Sequence, residues 1–387
     1  VENISINLLK NIYMPNFNSV YKFYYEWWKN IDKTLFLLII FLFSLGLFFS
    51  LVSTSLIASD KLDTNNYFFF FKHLAYIFIG IIILIFFSSL SNKNLFKISF
   101  YLFLISLFFL FLVPFLGSEV KGSKRWLSLF FLPSFQPVEL VKPFIIIFIA
   151  TILCSEKNFN IYFKYLLTFI TIVPACLLLM IQPDIGQTLL IFLAWAILVF
   201  ISGISLPVIL TFFSFSLLSL VYMVFFISKF TYIKNRILSF FNPGDGTHNF
   251  QSDKAIDAIS SGGYFGKGIG EGTLKNRVPE AHTDYVISVI SEEFGVVAIV
   301  LLLLLFLFFI YTVFKKIYLE KNEKVKLVLT GTICLIIFQA LIHVGVNIRL
   351  FPTTGMTLPF LSYGGSSIVG VSILSGIILN LTKRKID

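Results

Sequence analysis

The sequence predicts an all-α, polytopic integral membrane protein with about ten transmembrane helices and a large extracytoplasmic loop between spans seven and eight. Three observations carry that prediction. Of 387 residues, 57% are hydrophobic, 18% aromatic and only 13% charged, whereas a soluble domain is nearer half apolar and a quarter charged. Forty-nine phenylalanines are more than so few charged side chains can shield from water, so lipid is the solvent of most of the surface. The apolar residues also fall in runs close to or above the roughly 20 residues that cross a bilayer. The net charge of +10 is spread over the connections between these runs. It is therefore a topology signal, and no nucleic-acid partner is expected.

The first run, 34–57, follows a tail (1–33) with Lys10, Lys22 and Lys29 and no small-residue cleavage site. It reads as a retained span, not a signal peptide. Further runs lie at 68–90, 95–116, 138–154, 164–182 and 187–203, the last divided from 206–228 by Gly203 and Pro207. After the long connection 229–284 come 285–314, 325–348 and 366–382, then a tail at 383–387. Ten spans place both termini on one side. If that side is the cytoplasm, the inner segments hold 16 Lys/Arg and the outer ones 14, seven of these within 229–284. A loop of that length counts lightly in the positive-inside rule, so both termini are expected to be cytoplasmic. Cys154, Cys176 and Cys334 sit in or beside apolar runs without CxxC spacing, which indicates neither a disulfide framework nor a zinc site.

Charge concentrates in two outer segments, 117–142 and 229–284. The second also gathers glycine, from Ser260 through Gly272 with Lys267 in its midst. A basic, glycine-rich loop above an apolar bundle suits an anionic amphiphile whose tail lies among helices. The strongest constellation is Pro279-Glu280-Ala281-His282-Thr283-Asp284-Tyr285, where this loop enters the eighth run. Thr283 or Asp284 could simply cap a helix, the more ordinary use of an aspartate there. Alternatively, Asp284 at the mouth of a cavity is a general base. Farther on, Ser288, Glu292 and Glu293 continue the helix, and two adjacent carboxylates within a span imply a polar cavity face. Glu280, His282 and Asp284 could also converge on a divalent cation (Mg or Mn) in an extended segment, although three ligands within five residues seldom do.

In the first charged segment, Lys124, Arg125 and Trp126 precede Gln136, Pro137, Glu139 and Lys142. Glu139 and Lys142 share a helical face at i, i+3, where they pair. Arg125 is either an interfacial anchor or a planar partner for a diphosphate. Pro352 through Ser367, including Ser362, Tyr363 and Ser366, is irregular chain leading into the last run. At membrane depth such backbone must be covered by protein or line a cavity. Gln182-Pro183-Asp184-Ile185-Gly186 is either a plain turn or a second functional break.

Taken in order, RWLSL, FQPVELVK, QPDIGQT, SSGGYFGKGIGEGT, PEAHTDYVISVISEEFG and PTTGMTLPFLSYGGSS resemble the signature segments of the SEDS family of bacterial cell-wall glycosyltransferases. Gly355-Met356-Thr357-Leu358-Pro359, the alanine of PEAHTD, Trp27-Trp28 through Asp32 and Asp253 through Ala258 resemble the family's division-type members more than its elongation-type members. The resemblance implies a polymerase of lipid II in the cell inner membrane at the division septum. There the acceptor's GlcNAc 4-hydroxyl attacks C1 of the donor MurNAc with inversion, the growing glycan strand is extended and undecaprenyl diphosphate leaves. It also implies Asp284 as the base. Arg125, Lys142 and Lys124 would assist the departing diphosphate, and Glu139 would orient Lys142. The implied partners are a class B penicillin-binding protein transpeptidase of the FtsI type and other divisome membrane proteins. Thr354 stands where lysine is common, Tyr285 where phenylalanine is usual, and Phe131-Leu132-Pro133 replaces a more polar turn. A lipid II flippase is the alternative of a different class. It would place polar residues at the midplane of two repeated halves, and no such repeat is visible. A scaffold that recruits division proteins would be additional to catalysis.

Overall fold

The computed structural model describes residues 17–53, 67–120, 123–129, 132–156, 159–241, 250–274 and 278–383. Lys121, Phe131, the end of the first expected span, parts of the long connection (242–249, 275–277) and most of the two tails lie outside the described residues.

An amphipathic helix, α1 (Phe17–Asn30), leads into α2 (Lys33–Ser53), α3 (Phe68–Ser89) and α4 (Asn92–Leu116). Strands β1 (Ser118–Val120), β2 (Ser123–Leu129) and β3 (Leu132–Phe135) then form an antiparallel ribbon in the order β1-β2-β3. This is the one departure from the all-α expectation among the described residues. Helices α5 (Pro137–Leu153), α6 (Ile161–Ile181), α7 (Ile185–Ile201) and α8 (Leu206–Phe226) follow, then two short helices in the long connection, α9 (Thr231–Phe241) and α10 (Phe250–Gly262). Helices α11 (Val286–Leu319), α12 (Glu323–Asn347) and α13 (Gly365–Leu381) complete the chain. All ten expected runs thus carry a helix. Seven of them, α2, α3, α4, α6, α8, α11 and α12, are long and apolar enough to cross a membrane.

Local chemistry sets the boundaries. Ser91 Oγ accepts the Asn94 N–H at the start of α4, and Asn322 Oδ1 accepts those of Lys324 and Val325 at the start of α12. Pro137 opens α5, where a missing N–H costs nothing. The centre is built by α5, α12 and α13, which are buried almost all round. Helix α13 lies against α3 through small residues: a Cβ at Gly376 would stand 2.8 Å from Phe87 Cβ and 2.9 Å from Leu84 O. Close backbone approach of this kind is how helices associate where lipid offers no hydrophobic drive. Helix α8 is the opposite case and buries only Val224.

The eighth run does not form the single span expected for it. At Gly295 the chain takes φ 77° and ψ 179°, which breaks α11 into Val286–Phe294 and a longer segment to Leu319. The glycine-rich segment before α11 satisfies the groups this break releases. Lys267 and Gly268 donate their N–H groups to Glu292 O and Glu293 O at 2.9 and 3.0 Å, while Gly263 O and Tyr264 O accept from Val296 and Val297 at 3.0 and 3.2 Å. A Cβ on Gly295 would collide with Tyr264 O and one on Gly266 with Glu293 O. These glycines therefore permit two backbones to interlock, which is the covered form that irregular chain takes at membrane depth.

Candidate functional site

A cavity of about 400 Å³ opens at one end of the bundle, where α4 ends, α5, α7, α11 and α13 begin and the ribbon and long connection meet. Each wall is held by its own network. On the ribbon, Arg125 donates Nε–H to Gln182 O at 3.3 Å and Nη2–H to Pro183 O at 2.5 Å, and its Nε stands 3.8 Å from Asp184 Oδ2. Asp184 caps α7 through Gln187 N–H and accepts Gln136 Nε2–H at 3.1 Å. The segment Gln182–Gly186 is therefore a structural clamp on Arg125 as well as a turn. At the start of α5, Glu139 takes Lys142 Nζ at 2.8 Å and Gln187 Nε2 at 3.0 Å. The expected i, i+3 pair forms, and Lys142 also donates to Gln339 Oε1 at 2.9 Å.

Opposite stands the turn that carries Asp284. Glu280, at φ 57°, offers its carbonyl to the N–H groups of Thr283, Asp284 and Tyr285 at 3.1, 3.0 and 3.3 Å. Helix α11 begins only at Val286 and its N-cap, Tyr285, makes no side-chain cap bond, so Asp284 is not the cap the local sequence suggested. Instead it faces the cavity. A Cβ built on Gly355 would lie 3.5 Å from Asp284 Oδ2 and 3.7 Å from Arg125 Nη1, so the carboxylate and the guanidinium flank one glycine of the loop before α13. Gly355 has φ 71°, a conformation natural to glycine. The same loop is pinned to α12 by Gln339 Nε2–H to Thr357 O at 3.0 Å and His343 Nδ1–H to Met356 O at 2.8 Å.

Of the residues expected in the site, Arg125, Gln136, Glu139, Glu280, Thr283, Asp284, Tyr363 and Ser366 line the cavity. Gln136 N–H donates to Ser366 Oγ at 2.9 Å, joining two walls. Tyr363 is buried enough to push its phenol up to about 12, so it remains a neutral donor. Five residues stand elsewhere. Lys124 is exposed on β2, and Lys142 is sealed behind Glu139. Lys267 Nζ lies 3.5 Å from Glu292 Oε1, and Ser362 Oγ accepts the Leu358 N–H. His282 packs its ring on Phe69 and Tyr363. No cluster of three or more His, Cys, Asp or Glu side chains suited to a metal ion exists among the described residues. Glu292 and Glu293 do not form the polar cavity face expected of them: they accept the N–H groups of Leu274 and Gly270 at 2.8 and 2.5 Å. Three lining residues escaped the sequence reading, Gln187 on α7, Arg236 on α9 and Gln251 on α10. Only QPDIGQT gave a signal for Gln187; the two helices of the long connection gave none.

A family model described as "Cell cycle protein", FTSW_RODA_SPOVE, matches residues 33–386. The chain belongs to the FtsW/RodA/SpoVE family. It is 31% identical over 367 residues to a Caulobacter vibrioides protein named "Probable peptidoglycan glycosyltransferase FtsW", covering 93% of this chain and 91% of the relative. A Haemophilus influenzae protein of the same name is 30% identical over 377 residues, with 92% and 93% covered. Among solved structures, one described as "Structural coordination of polymerization and crosslinking by a peptidoglycan synthase complex" is similar at a TM-score of 0.75 and 26% identity, over 91% of this chain and 97% of that one. The crystal structure of Thermus thermophilus rod shape determining protein RodA is similar at 0.66 and 26% identity, over 91% and 96%. The SEDS resemblance read from six motifs is thereby established across the membrane domain.

Proposed function

We propose that this chain is a peptidoglycan glycosyltransferase of the division type. It polymerises lipid II into β-1,4-linked glycan at the outer face of the cell inner membrane, with both termini in the cytoplasm. The observation that carries the reading is the opposition of Asp284 and Arg125 across Gly355 in one cavity at the end of an apolar bundle. An inverting displacement needs a carboxylate on the acceptor side and positive charge on the leaving-group side. Asp284 takes the proton of the acceptor's 4-hydroxyl as its oxygen attacks C1 of the donor. The C1–O bond to the lipid diphosphate breaks, and the electron pair leaves with the diphosphate beside Arg125, whose planar fork suits phosphate oxygens. A diphosphate needs no general acid to depart, so one base and one cation make a sufficient set. Gln136 and Tyr363, both in the lining, supply an amide and a hydroxyl for sugar and peptide. The relatives' names support the activity, and the synthase complex supports a cross-linking partner, for which we propose a class B penicillin-binding protein of the FtsI type at the septum.

The test is reconstitution in liposomes with fluorescent lipid II and that transpeptidase, comparing wild type with Asp284→Asn. Glycan chains from the wild type and none from a folded, complex-forming variant are expected. Undiminished polymerisation by Asp284→Asn would remove the base assignment. Movement of lipid II between leaflets with no glycan formed by the wild type would replace the polymerase with a flippase.

A further inference from the structure

Helix α12 presents Gln339, His343 and Asn347 at successive i, i+4 positions, all three buried. The first two hold the loop before α13 through Thr357 O and Met356 O. The third reaches across to the other wall: Asn347 Nδ2 donates to Asp284 O at 3.1 Å and to His343 O at 2.9 Å. We infer that Asn347 is a positioning residue for Asp284, fixing the peptide that carries the carboxylate to the same helix that fixes the facing loop. This rests on Asp284 acting as the base.

The argument is geometric. Asp284 has a short side chain with two torsions, so the location of its carboxylate is set mainly by its backbone. On its N-terminal side that backbone is gripped by Glu280 O, which accepts the Asp284 N–H at 3.0 Å. On its C-terminal side the Asp284 carbonyl is gripped by Asn347. One residue pair away, Tyr363 N–H donates to His282 O at 3.0 Å, so the turn is also tied to the loop directly. Asn347 is nevertheless the contact that refers Asp284 itself to α12, and hence to Met356 and Thr357 on either side of the cavity floor. Arg125 is anchored independently, to Gln182 and Pro183. The spacing between base and guanidinium therefore depends on two anchors, and Asn347 is the one on the base's side. A displacement of a reacting group by about 1 Å can cost on the order of 100-fold in rate.

Asn347→Leu keeps the volume and removes the donor, whereas Asn347→Gln keeps an amide. In the liposome assay with the transpeptidase partner, Asn347→Leu is expected to lower kcat for glycan formation by about 10- to 100-fold with KM for lipid II within twofold, and Asn347→Gln is expected to recover part of the loss. Arg349→Gln, two residues on, breaks the 2.7 Å pair with Asp253 at the same helix end and serves as control with near wild-type kcat. A folded Asn347→Leu protein with wild-type kcat overturns the inference, as does an equal loss in Arg349→Gln, which would mean general loosening of the helix end. If Asp284→Asn is inactive while Asn347→Leu is not, only the positioning inference fails. If Asp284→Asn polymerises normally, the base assignment fails first.

Discussion

Two sets of carboxylates lie eight residues apart in one stretch of chain and stand in opposite surroundings. Glu292 and Glu293 are almost wholly buried; Glu292 Oε1 accepts the Leu274 N–H and lies near Lys267 Nζ, and Glu293 Oε2 accepts the Gly270 N–H. Asp284 is only partly buried and faces a polar cavity opposite Arg125. A buried charge must be met by fixed donors, and the glycine-rich segment supplies them to the glutamates. Carboxylates close in sequence and identical in chemistry are thus divided between a buried, donor-lined setting and an open cavity by what the neighbouring backbone offers them.

The largest expected separation comes from changing one member of each set. Asp284→Asn should cut polymerisation by about 100-fold or more while leaving the melting temperature in detergent unchanged. Glu292→Ala should do the reverse in origin, costing about 2–3 kcal/mol of stability through lost charged hydrogen bonds. Its activity should fall only in step with the folded fraction measured by size exclusion. Should Asp284→Asn melt earlier, or folded Glu292→Ala lose turnover, the division of labour is wrong. A smaller effect is expected at the glycine between base and guanidinium. Gly355→Ala places a methyl group in ordinary contact with Asp284 and Arg125 but forces alanine into a left-handed conformation, about 1–2 kcal/mol. Turnover should fall more than stability, read as kcat against melting temperature.

The smallest effect lies at the far end of the molecule, where a third carboxylate is also architectural. Burial of Asp32 opposes its charge, but Lys316 at 2.6 Å and the Leu35 and Thr34 N–H groups outweigh burial and hold its carboxyl below the ordinary 3.8. A depressed value means stabilisation that is complete above the unfolded-state pKa and lost as pH falls through the folded one. Asp32→Asn should therefore cost about 1 kcal/mol at neutral pH, a difference that shrinks below pH 4 in melting curves, with no change in glycan synthesis at neutral pH beyond the folded fraction.

The ten apolar runs and the Glu139–Lys142 pair were legible because each depends on spacing along the chain; the meeting of Asp284 and Arg125 beside Gly355 was not, because it depends on tertiary placement. The break at Gly295 was not, since an apolar stretch on its far side conceals it; the only sign was a glycine directly after two glutamates and a phenylalanine. The ribbon from Ser118 to Phe135 was hidden by its brevity and its shifts in register. Lys142 was assigned to substrate because lysine in a span usually marks a polar path, and Lys267 because it sits in a basic, glycine-rich outer loop. Their carboxylate partners, one three residues away and one 25, reveal that each is already neutralised. Arg236 and Gln251 reach the cavity only through the tertiary placement of α9 and α10, which no local pattern encodes.

The interruption of α11 also separates two mechanical frames. Beyond Val297 the helix leaves the glycine-rich segment, packs on the bundle through Leu302, Phe306, Phe309 and Val313 and turns its other side outward, where bilayer thickness acts on its tilt. Before that point the chain is held on both sides of Gly295: Val286–Phe294 is tied to the glycine-rich segment by two backbone bonds, at Glu292 O and Glu293 O, and Val296 and Val297 by two more, while Asn347 ties Asp284 to α12. Tilt of the long segment therefore has to be taken up beyond these clamped residues, so the aspartate keeps its address relative to the cavity while the membrane around it deforms.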